Sequence, residues 1–435
     1  MFHPSASRTG RTVAGLTAFA ACSVGLVAAT GPASAAPDPA RAPLAPRTAE
    51  PYPHLAPTPP MGWNNWSYYM CDINEKVILD NARALVRTDL ARKGYNTVTV
   101  DDCWMAKQRG PEGELLADPA RFPHGMAHLG RQLHAMGLKF GIYADVGTHT
   151  CEKYPGSMGH FRQDAELFAS WKVDYVKADG CNVPTAPGST KEQTYRDLYG
   201  QMSRALAATG RPMTFSVSAP AYFQFDGRPL WHRVIGWSAD VGNLWRGGRD
   251  VALEKQSPAQ KWSSILYNFT YNSGLADLQR PGRWNDPDFL LAGDSGLTTD
   301  EMRSQMALWA MMAAPLISST DLTKLSGAAL EVLGNKEVIA VDQDPLGVQG
   351  KVVRQETGMA VLSKPLHNGD RAVALFNSGN TPRTLSTTAK DAGLPDAGSY
   401  RLRELHSGRI TNSGGEIAAK NVPPHATVLY RVTAR

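Results

Sequence analysis

Three groups of residues have types and spacings that could do chemistry. Asp101-Asp102 are adjacent acids that follow the strand-like run Thr97–Val100. A strand sends successive side chains to opposite faces, but past its end both carboxylates can turn toward one ligand. Lys177 and Asp179 close another apolar run. At i and i+2 they share a face, which sets an ammonium beside a carboxylate, the pairing an anionic nucleophile needs. The plain reading of Lys-x-Asp is a structural ion pair. Trp245-Arg246-Gly247-Gly248-Arg249-Asp250 holds an acid among cations in a glycine-containing segment, and alone it reads as a charged surface loop. Two acids flanking one bond are what glycosidic hydrolysis asks for. Carbohydrate sites add aromatic platforms, and the chain has ten Trp and fourteen Tyr. Trp63, Trp66, Trp104 and Tyr143 fall beside expected strand ends, though taken singly each is more simply core.

The elements that would position these residues alternate from Pro60 to about Gly347. Ile73, Val77, Ile78, Ala82 and Leu85 mark one helical face, with Gly94 as the expected stop. Thr97–Val100 follows as a strand. A helix carrying Leu129, Leu133 and Met136 ends at Gly137 and leads to the strand Lys139–Tyr143, which closes at Ala144-Asp145. A helix around Ala165 to Trp171 precedes Val173–Lys177, and one from Tyr195 to Ala208 precedes Met213–Ser218. Strand-then-helix repetition predicts a parallel sheet with helical crossovers. An open doubly wound sheet competes, but no glycine-rich phosphate turn follows the first strand. Asp101, Asp102, Asp145, Asp179 and Ser218 all fall at C-terminal strand ends, where (β/α)8 barrels build their sites. Residues 60–346 therefore read as a (β/α)8 TIM barrel of the α/β class. Residues 347–435 change character: short runs such as Val352-Val353, Met359–Leu362, Ala372–Phe376 and Thr427–Tyr430, some separated by turn residues, predict a C-terminal antiparallel β-sandwich. It has no concentrated carboxylate or aromatic cluster, so a packing role is expected there.

Residues 1–35 read as a signal peptide: Arg8 and Arg11, then an Ala-rich apolar stretch from Val13 to Ala29, then Ala33-Ser34-Ala35 as a cleavage site. The stretch is too short and too rich in small residues for an anchor, and Phe19-Ala20-Ala21-Cys22 is a poor lipid-attachment motif. Residues 36–59 read as a Pro/Ala-rich linker. The expected location is extracellular, with no membrane association after cleavage. The net charge of +5 is scattered without a basic stripe, which argues against a nucleic-acid partner. Of five cysteines Cys22 leaves with the signal, and Cys71, Cys103, Cys151 and Cys181 remain. An even number in an exported chain predicts two disulfides, with three connectivities open. A metal site is not expected, because the spacings are long and no C-x-x-C pair exists.

Long ordered segments resemble glycoside hydrolase family 27, which holds α-galactosidases and α-N-acetylgalactosaminidases. They are Thr58–Trp66, Asp101–Ala106, Gly141–Gly147, Val173–Cys181, Trp284–Asp288, Leu308–Leu316 and Asp342–Gly347. The resemblance implies a carbohydrate substrate and no cofactor or metal, and leaves the oligomeric state unassigned. It implies that Asp179 is the nucleophile and Asp250 the acid/base, and that Asp101 and Asp102 grip sugar hydroxyls. Trp66, Tyr143, Lys177, Tyr222 and Arg246 match sugar-contacting positions, and the disulfides match Cys71 with Cys103 and Cys151 with Cys181. Where family members often carry a further disulfide, this chain has Val217 and Gly242. Ser218 and Ala221 stand where the α-galactosidase form commonly has Glu and Leu; the α-N-acetylgalactosaminidase form has Ser and Ala. The smaller pair would open space beside the sugar's C2 substituent. Ala219 replaces the family's Trp between them, and Ala178 replaces a bulkier residue before the nucleophile.

The implied chemistry is double displacement with retention, and Asp250 would need a raised pKa once substrate excludes water. The expected activity is release of non-reducing terminal α-galactosyl-type residues, with room for α-N-acetylgalactosaminides. The competing readings are a hydrolase of another glycoside on the same barrel (a β-L-arabinopyranoside or an α-glucan) and a non-catalytic sugar-binding protein. An axial-hydroxyl grip by Asp101-Asp102 argues against glucose, and the presence of both acids argues against loss of catalysis. Asn268-Phe269-Thr270 is a potential glycosylation sequon.

Overall fold

The computed structural model describes residues 55–435 apart from 186, 254, 294 and 295. The expected signal peptide, and the expected linker up to residue 54, lie outside the described residues. At the linker's end, the carbonyl of Ala56 accepts from the Gly282 N–H (3.1 Å) and the Trp284 indole (2.8 Å), and that of Pro59 accepts from the Gln343 amide (2.9 Å).

Strands and helices then alternate: β1 (Met61–Asn64), α1 (Trp66–Tyr69), α2 (Glu75–Arg87), β2 (Thr97–Val100), α3 (Met126–Ala135), β3 (Lys139–Asp145), α4 (Phe161–Ser170), β4 (Tyr175–Asp179) and α5 (Lys191–Ala208). The second half continues with β5 (Thr214–Val217), α6 (Arg228–Val241), β6 (Leu244–Arg246), α7 (Pro258–Asn272), β7 (Trp284–Asp286), α8 (Thr299–Met312), β8 (Leu316–Ser318), α9 (Gly327–Leu333) and α10 (Lys336–Asp342). The eight strands run parallel in the order β7-β6-β5-β4-β3-β2-β1-β8. The ring closes beyond β7, where Leu290 pairs with Ser318, its N–H donating to the Ile317 carbonyl at 2.8 Å. This is the barrel read from the sequence.

Local chemistry starts the helices where the pattern requires. Asn74 caps α2 by accepting from the Val77 N–H at 3.0 Å. Capping boxes open α5 (Thr190/Gln193), α7 (Ser257/Gln260) and α8 (Thr298/Glu301), and each satisfies orphan N–H groups at the helix start. Gly94 does not end α2. The helix stops at Arg87, because Asp89 takes φ 64° and breaks the ladder; Gly94 closes a short 3-10 turn at Ala91–Lys93.

The C-terminal section is a sandwich of β9 (Lys351–Glu356), β10 (Met359–Pro365), β11 (Arg371–Asn377), β12 (Arg383–Thr388), β13 (Tyr400–Glu404), β14 (Ile410–Ser413), β15 (Glu416–Val422) and β16 (Thr427–Ala434). Six strands form one antiparallel sheet, β14-β13-β16-β11-β10-β9, and β12 pairs with β15 in the other. The sandwich seats on α7 and α8. Phe376 packs edge-on against Trp262 and Phe269, and His425 stacks on Trp262 with centroids 4.8 Å apart. Lys364 of β10 is fully buried and donates to the carbonyls of Ala310 (2.9 Å) and Val341 (2.6 Å), near the ends of α8 and α10. Buried Asp342 lies close enough to favour the ammonium, although burial pushes the Asp342 carboxyl up to about 8 and the Lys364 ammonium down to about 8.

Candidate active site

The C-terminal ends of the strands surround a cavity of about 300 Å³. Its walls come in strand order. The segment after β1 supplies Trp66, and that after β2 supplies Asp101 and Asp102. Strand β3 supplies Tyr143, β4 supplies Lys177 and Asp179, and the segment after β5 supplies Ser218, Ala221 and Tyr222. Arg246 ends β6, and Asp250 lies in the loop beyond it. Every residue singled out from the sequence as catalytic or sugar-binding therefore lines one cavity. Trp63 and Trp104 do not: both are fully buried in the core, as the simpler reading had it.

The charges are arranged in two groups. Lys177 makes its short contacts to Asp101, with Nζ 2.9 and 3.0 Å from the two carboxylate oxygens, and it lies 3.8 Å from Asp179. The predicted adjacency to Asp179 is thus present, but the ammonium is shared. Asn64 donates to the same Asp101 carboxylate at 2.6 Å. Burial disfavours the Lys177 cation, but Asp101 and Asp179 outweigh it and hold the ammonium above its usual range. Asp102 accepts from the N–H groups of Cys103 (2.7 Å) and Glu152 (3.1 Å). Burial nevertheless pushes its carboxyl up to about 6. Behind them Asp145 accepts from the N–H groups of Gly147 and Cys181, and burial, with the charge of Asp179 added, pushes its carboxyl well up.

The second group is built on Arg246. Its guanidinium donates to Asp288 at 2.7 Å and to Asp250 at 2.9 Å. Asp288 also accepts from the Val251 N–H at 2.6 Å, so one carboxylate fixes both ends of the loop that carries Asp250. To do so Asp288 takes φ 80°, a strained conformation for a residue with a Cβ. Burial pushes its carboxyl up to about 7, against the pull of Arg246. Asp250 is half exposed at the cavity mouth, with 47% of its side chain accessible. Burial of its surroundings works against ionisation there, but Arg246, helped by Lys177 and Trp66, holds the carboxyl below the usual range. The expected raised value is not what these surroundings give Asp250.

Gly247 and Gly248 let this loop lie on α7. A Cβ on Gly247 would fall 2.7 Å from the Asn272 side-chain oxygen, and one on Gly248 2.4 Å from that of Asn268. Asn268 is fully buried and donates to the Arg249 carbonyl at 2.9 Å, so the sequon Asn268-Phe269-Thr270 has no access to a glycan.

The cysteines pair as the resemblance implied: Cys71–Cys103 joins the segments after β1 and β2, and Cys151–Cys181 those after β3 and β4. Sequence reasoning treated them as staples and missed that the second bridge is part of the wall. Both sulfurs line the cavity, the Tyr222 hydroxyl lies 3.1 Å from that of Cys181, and that of Cys151 is 3.9 Å from Asp179. Gln224 and Arg249 were missed as lining residues, and Asp288 as the anchor of Arg246; the Trp284–Asp288 motif was the only signal for it.

Ser218 and Ala221 both line the cavity, Ser218 as the residue that opens a 3-10 turn, Ala219–Phe223, and Ala221 within it. The Ser218 hydroxyl is buried and has no hydrogen-bond partner among the described residues. Ala219 is fully buried and is not part of the lining. Among the described residues no helix is long and apolar enough to cross a membrane.

Residues 58–344 match a family model described as alpha galactosidase A, and residues 356–432 match the alpha galactosidase C-terminal beta sandwich domain. The chain is 41% identical over 383 residues to alpha-galactosidase A of Aspergillus niger, spanning 88% of this chain and 70% of that one. It is 38% identical to alpha-galactosidase 2 of Arabidopsis thaliana, over 88% and 91% of the two chains. The solved structure of alpha-galactosidase I from Mortierella vinacea matches with a TM-score of 0.79 at 31% identity, over 88% of this chain and 98% of that one.

Proposed function

The chain belongs to the alpha galactosidase family, glycoside hydrolase family 27, and from that premise we propose that it is a secreted, retaining exo-glycosidase that releases terminal α-linked galactosyl-type residues. The observation that carries the proposal is one cavity holding two differently dressed carboxylates. Asp179 is inside, beside the shared ammonium of Lys177, and Asp250 is at the mouth, on Arg246.

In this reading Asp179 attacks the anomeric carbon and forms a glycosyl-enzyme as the glycosidic bond breaks. Asp250 gives its proton to the leaving oxygen, then takes one from the water that releases the sugar. Arg246 holds Asp250 ionised, so it gains its proton only when substrate displaces water and weakens that hold. Asp101 and Asp102, held by Lys177 and by backbone N–H groups, present fixed acceptors to the sugar's hydroxyls. Trp66, Tyr143 and Tyr222 supply aromatic wall.

The same pocket supports acceptance of an acetamido group at C2. The partnerless hydroxyl of Ser218 is a ready donor to an acetamido carbonyl, and Ala221 leaves room for its methyl. Initial rates on nitrophenyl α-galactoside and nitrophenyl α-N-acetylgalactosaminide, measured side by side, test both parts. Hydrolysis of neither ends the reading. Release of the α-anomer first, followed by NMR, is expected, and initial β-anomer refutes retention. The double variant Ser218→Glu, Ala221→Leu should lower the acetamido-to-galactoside rate ratio, since a clash and a buried charge exceed one hydrogen bond in cost. An unchanged ratio refutes the C2 assignment.

A further inference from the structure

We propose that Glu75, His124 and His128 form a binding site for a zinc-class divalent cation that clips the start of α2 to the start of α3. None of the three lines the sugar cavity. Glu75 is the first residue of α2, His124 stands two residues before α3, and His128 lies in the first turn of α3. The backbone brings the three side chains to one spot. The Glu75 N–H donates to the Arg121 carbonyl at 2.9 Å, which holds α2 against the loop that leads into α3. Gly125 takes φ 73°, a conformation that favours glycine, and turns the chain so that the His124 ring lies 4.9 Å from that of His128. His124 Nδ1 is 3.0 and 3.3 Å from the two carboxylate oxygens of Glu75. One ligand atom from each of the three residues lies within 4.8 Å of the other two.

A surface hydrogen bond between His124 and Glu75 accounts for the first imidazole but not for the second. His128 makes no hydrogen bond among the described residues, yet its ring nitrogen converges on the same point. Zinc bonds of about 2.0–2.1 Å set tetrahedral ligand atoms about 3.3 Å apart. His124 and Glu75 stand at that spacing, and rotation about the His128 side-chain bonds closes the rest. Three protein ligands leave a fourth position for water. Two imidazoles and one carboxylate select a borderline cation, whereas magnesium and calcium prefer shells of oxygen. The positive ends of α2 and α3 reinforce this choice, because they disfavour a cation held by charge alone. The clip also reaches toward the sugar site. Arg121 donates to the Cys103 carbonyl at 2.6 Å and to the Tyr154 hydroxyl at 2.9 Å. Cys103 follows Asp102, so a bound ion stiffens the segment that runs from the cavity's paired acids to α3.

The test is a calorimetric titration of the full chain with zinc, after a chelator has stripped it of metal. One zinc per chain should bind with a Kd of about micromolar or tighter. Zinc at a hundred times Kd should raise the melting temperature by about 3 °C. Cobalt(II) in its place should give the visible absorption of a four-coordinate site. His128→Ala and Glu75→Gln should each weaken zinc by about tenfold or more and abolish the cobalt bands. His128 has no hydrogen bond to lose among the described residues, so His128→Ala should keep the metal-free melting temperature and the nitrophenyl α-galactoside rate of the parent. Unchanged zinc affinity in both variants would assign the ion to other histidines and overturn the site. A parent chain that binds no zinc, or that binds calcium as tightly as zinc, would overturn it as well.

Discussion

Replacing Asp250 by Asn should separate the two halves of the reaction. The substitution keeps size and removes the proton carrier. Its effect on the fold should be small: Arg246 retains Asp288 at 2.7 Å, and the lost pair to Asp250 is half exposed, worth about 1 kcal/mol or less. A melting temperature near that of the parent is therefore expected, so a rate loss can be assigned to chemistry. General acid–base catalysis typically contributes about 10²–10⁴-fold. A nitrophenyl galactoside has a good leaving group and needs little protonation, so formation of the glycosyl-enzyme should survive while its hydrolysis slows by about that factor. The assay is a stopped-flow burst of nitrophenolate followed by a slow steady state. Because Asp250 sits at the mouth of the cavity with 47% of its side chain accessible, azide can reach the position of the activated water. It should restore the rate and yield α-galactosyl azide. Asp179→Gly should instead show no burst, and azide should give the β-anomer, since the anion then attacks the substrate itself. Equal, unrescuable loss in both variants, or β-azide from the Asp250 variant, would refute the assignment of roles.

Two further outcomes follow from the site's construction. Replacing both Cys151 and Cys181 by Ser should cost roughly 2–4 kcal/mol of stability and lower activity more than the Cys71/Cys103 double variant does, because only the Cys151–Cys181 bridge forms cavity wall beside Tyr222; equal activity in the two variants contradicts this. The Asp102 carboxyl is pushed up to about 6, so its contribution to stability is full below the unfolded value near pH 4 and is lost as pH rises through 6. Asp102→Asn has no such titration, and between pH 4 and 7 the stability difference from urea unfolding should move in the variant's favour by about 2 kcal/mol. A pH-independent difference would mean that Asp102 is not desolvated.

The sequence carried the barrel where its strands were long enough to show a pattern. β2 to β5 are apolar runs closed by acids or by Ser218, and each was placed within a residue or two at one end or the other. β6, β7 and β8 have three residues each, too short for any periodicity; β7 and most of β6 lie within motifs that were not read as strands, and of β8 only Leu316 does. In the sandwich β9, β10, β11 and β16 were visible as apolar runs, whereas β12 to β15 interleave charged and polar residues and none of them was singled out. The acids of the site were legible because a strand end is a position a sequence can mark. Asp288 was not, because its importance lies in a left-handed backbone and in a contact to Arg246, 42 residues away. The shared ammonium of Lys177 was half legible: i and i+2 spacing gave Asp179, but Asp101 comes from the segment after β2, 76 residues earlier.

Lys364 makes the barrel and the sandwich one heritable unit. A cation with no access to solvent, satisfying carbonyls near the ends of α8 and α10, cannot be left behind when its strand is removed. Cutting the chain after Asp342 would strand two carbonyls and an acid in what had been interior, and would bare the Trp262 and Phe269 faces. Shuffling of the C-terminal section between barrels is therefore constrained to partners that bring their own plug. Melting should be a single cooperative event across both sections, with no stage at which a naked barrel persists.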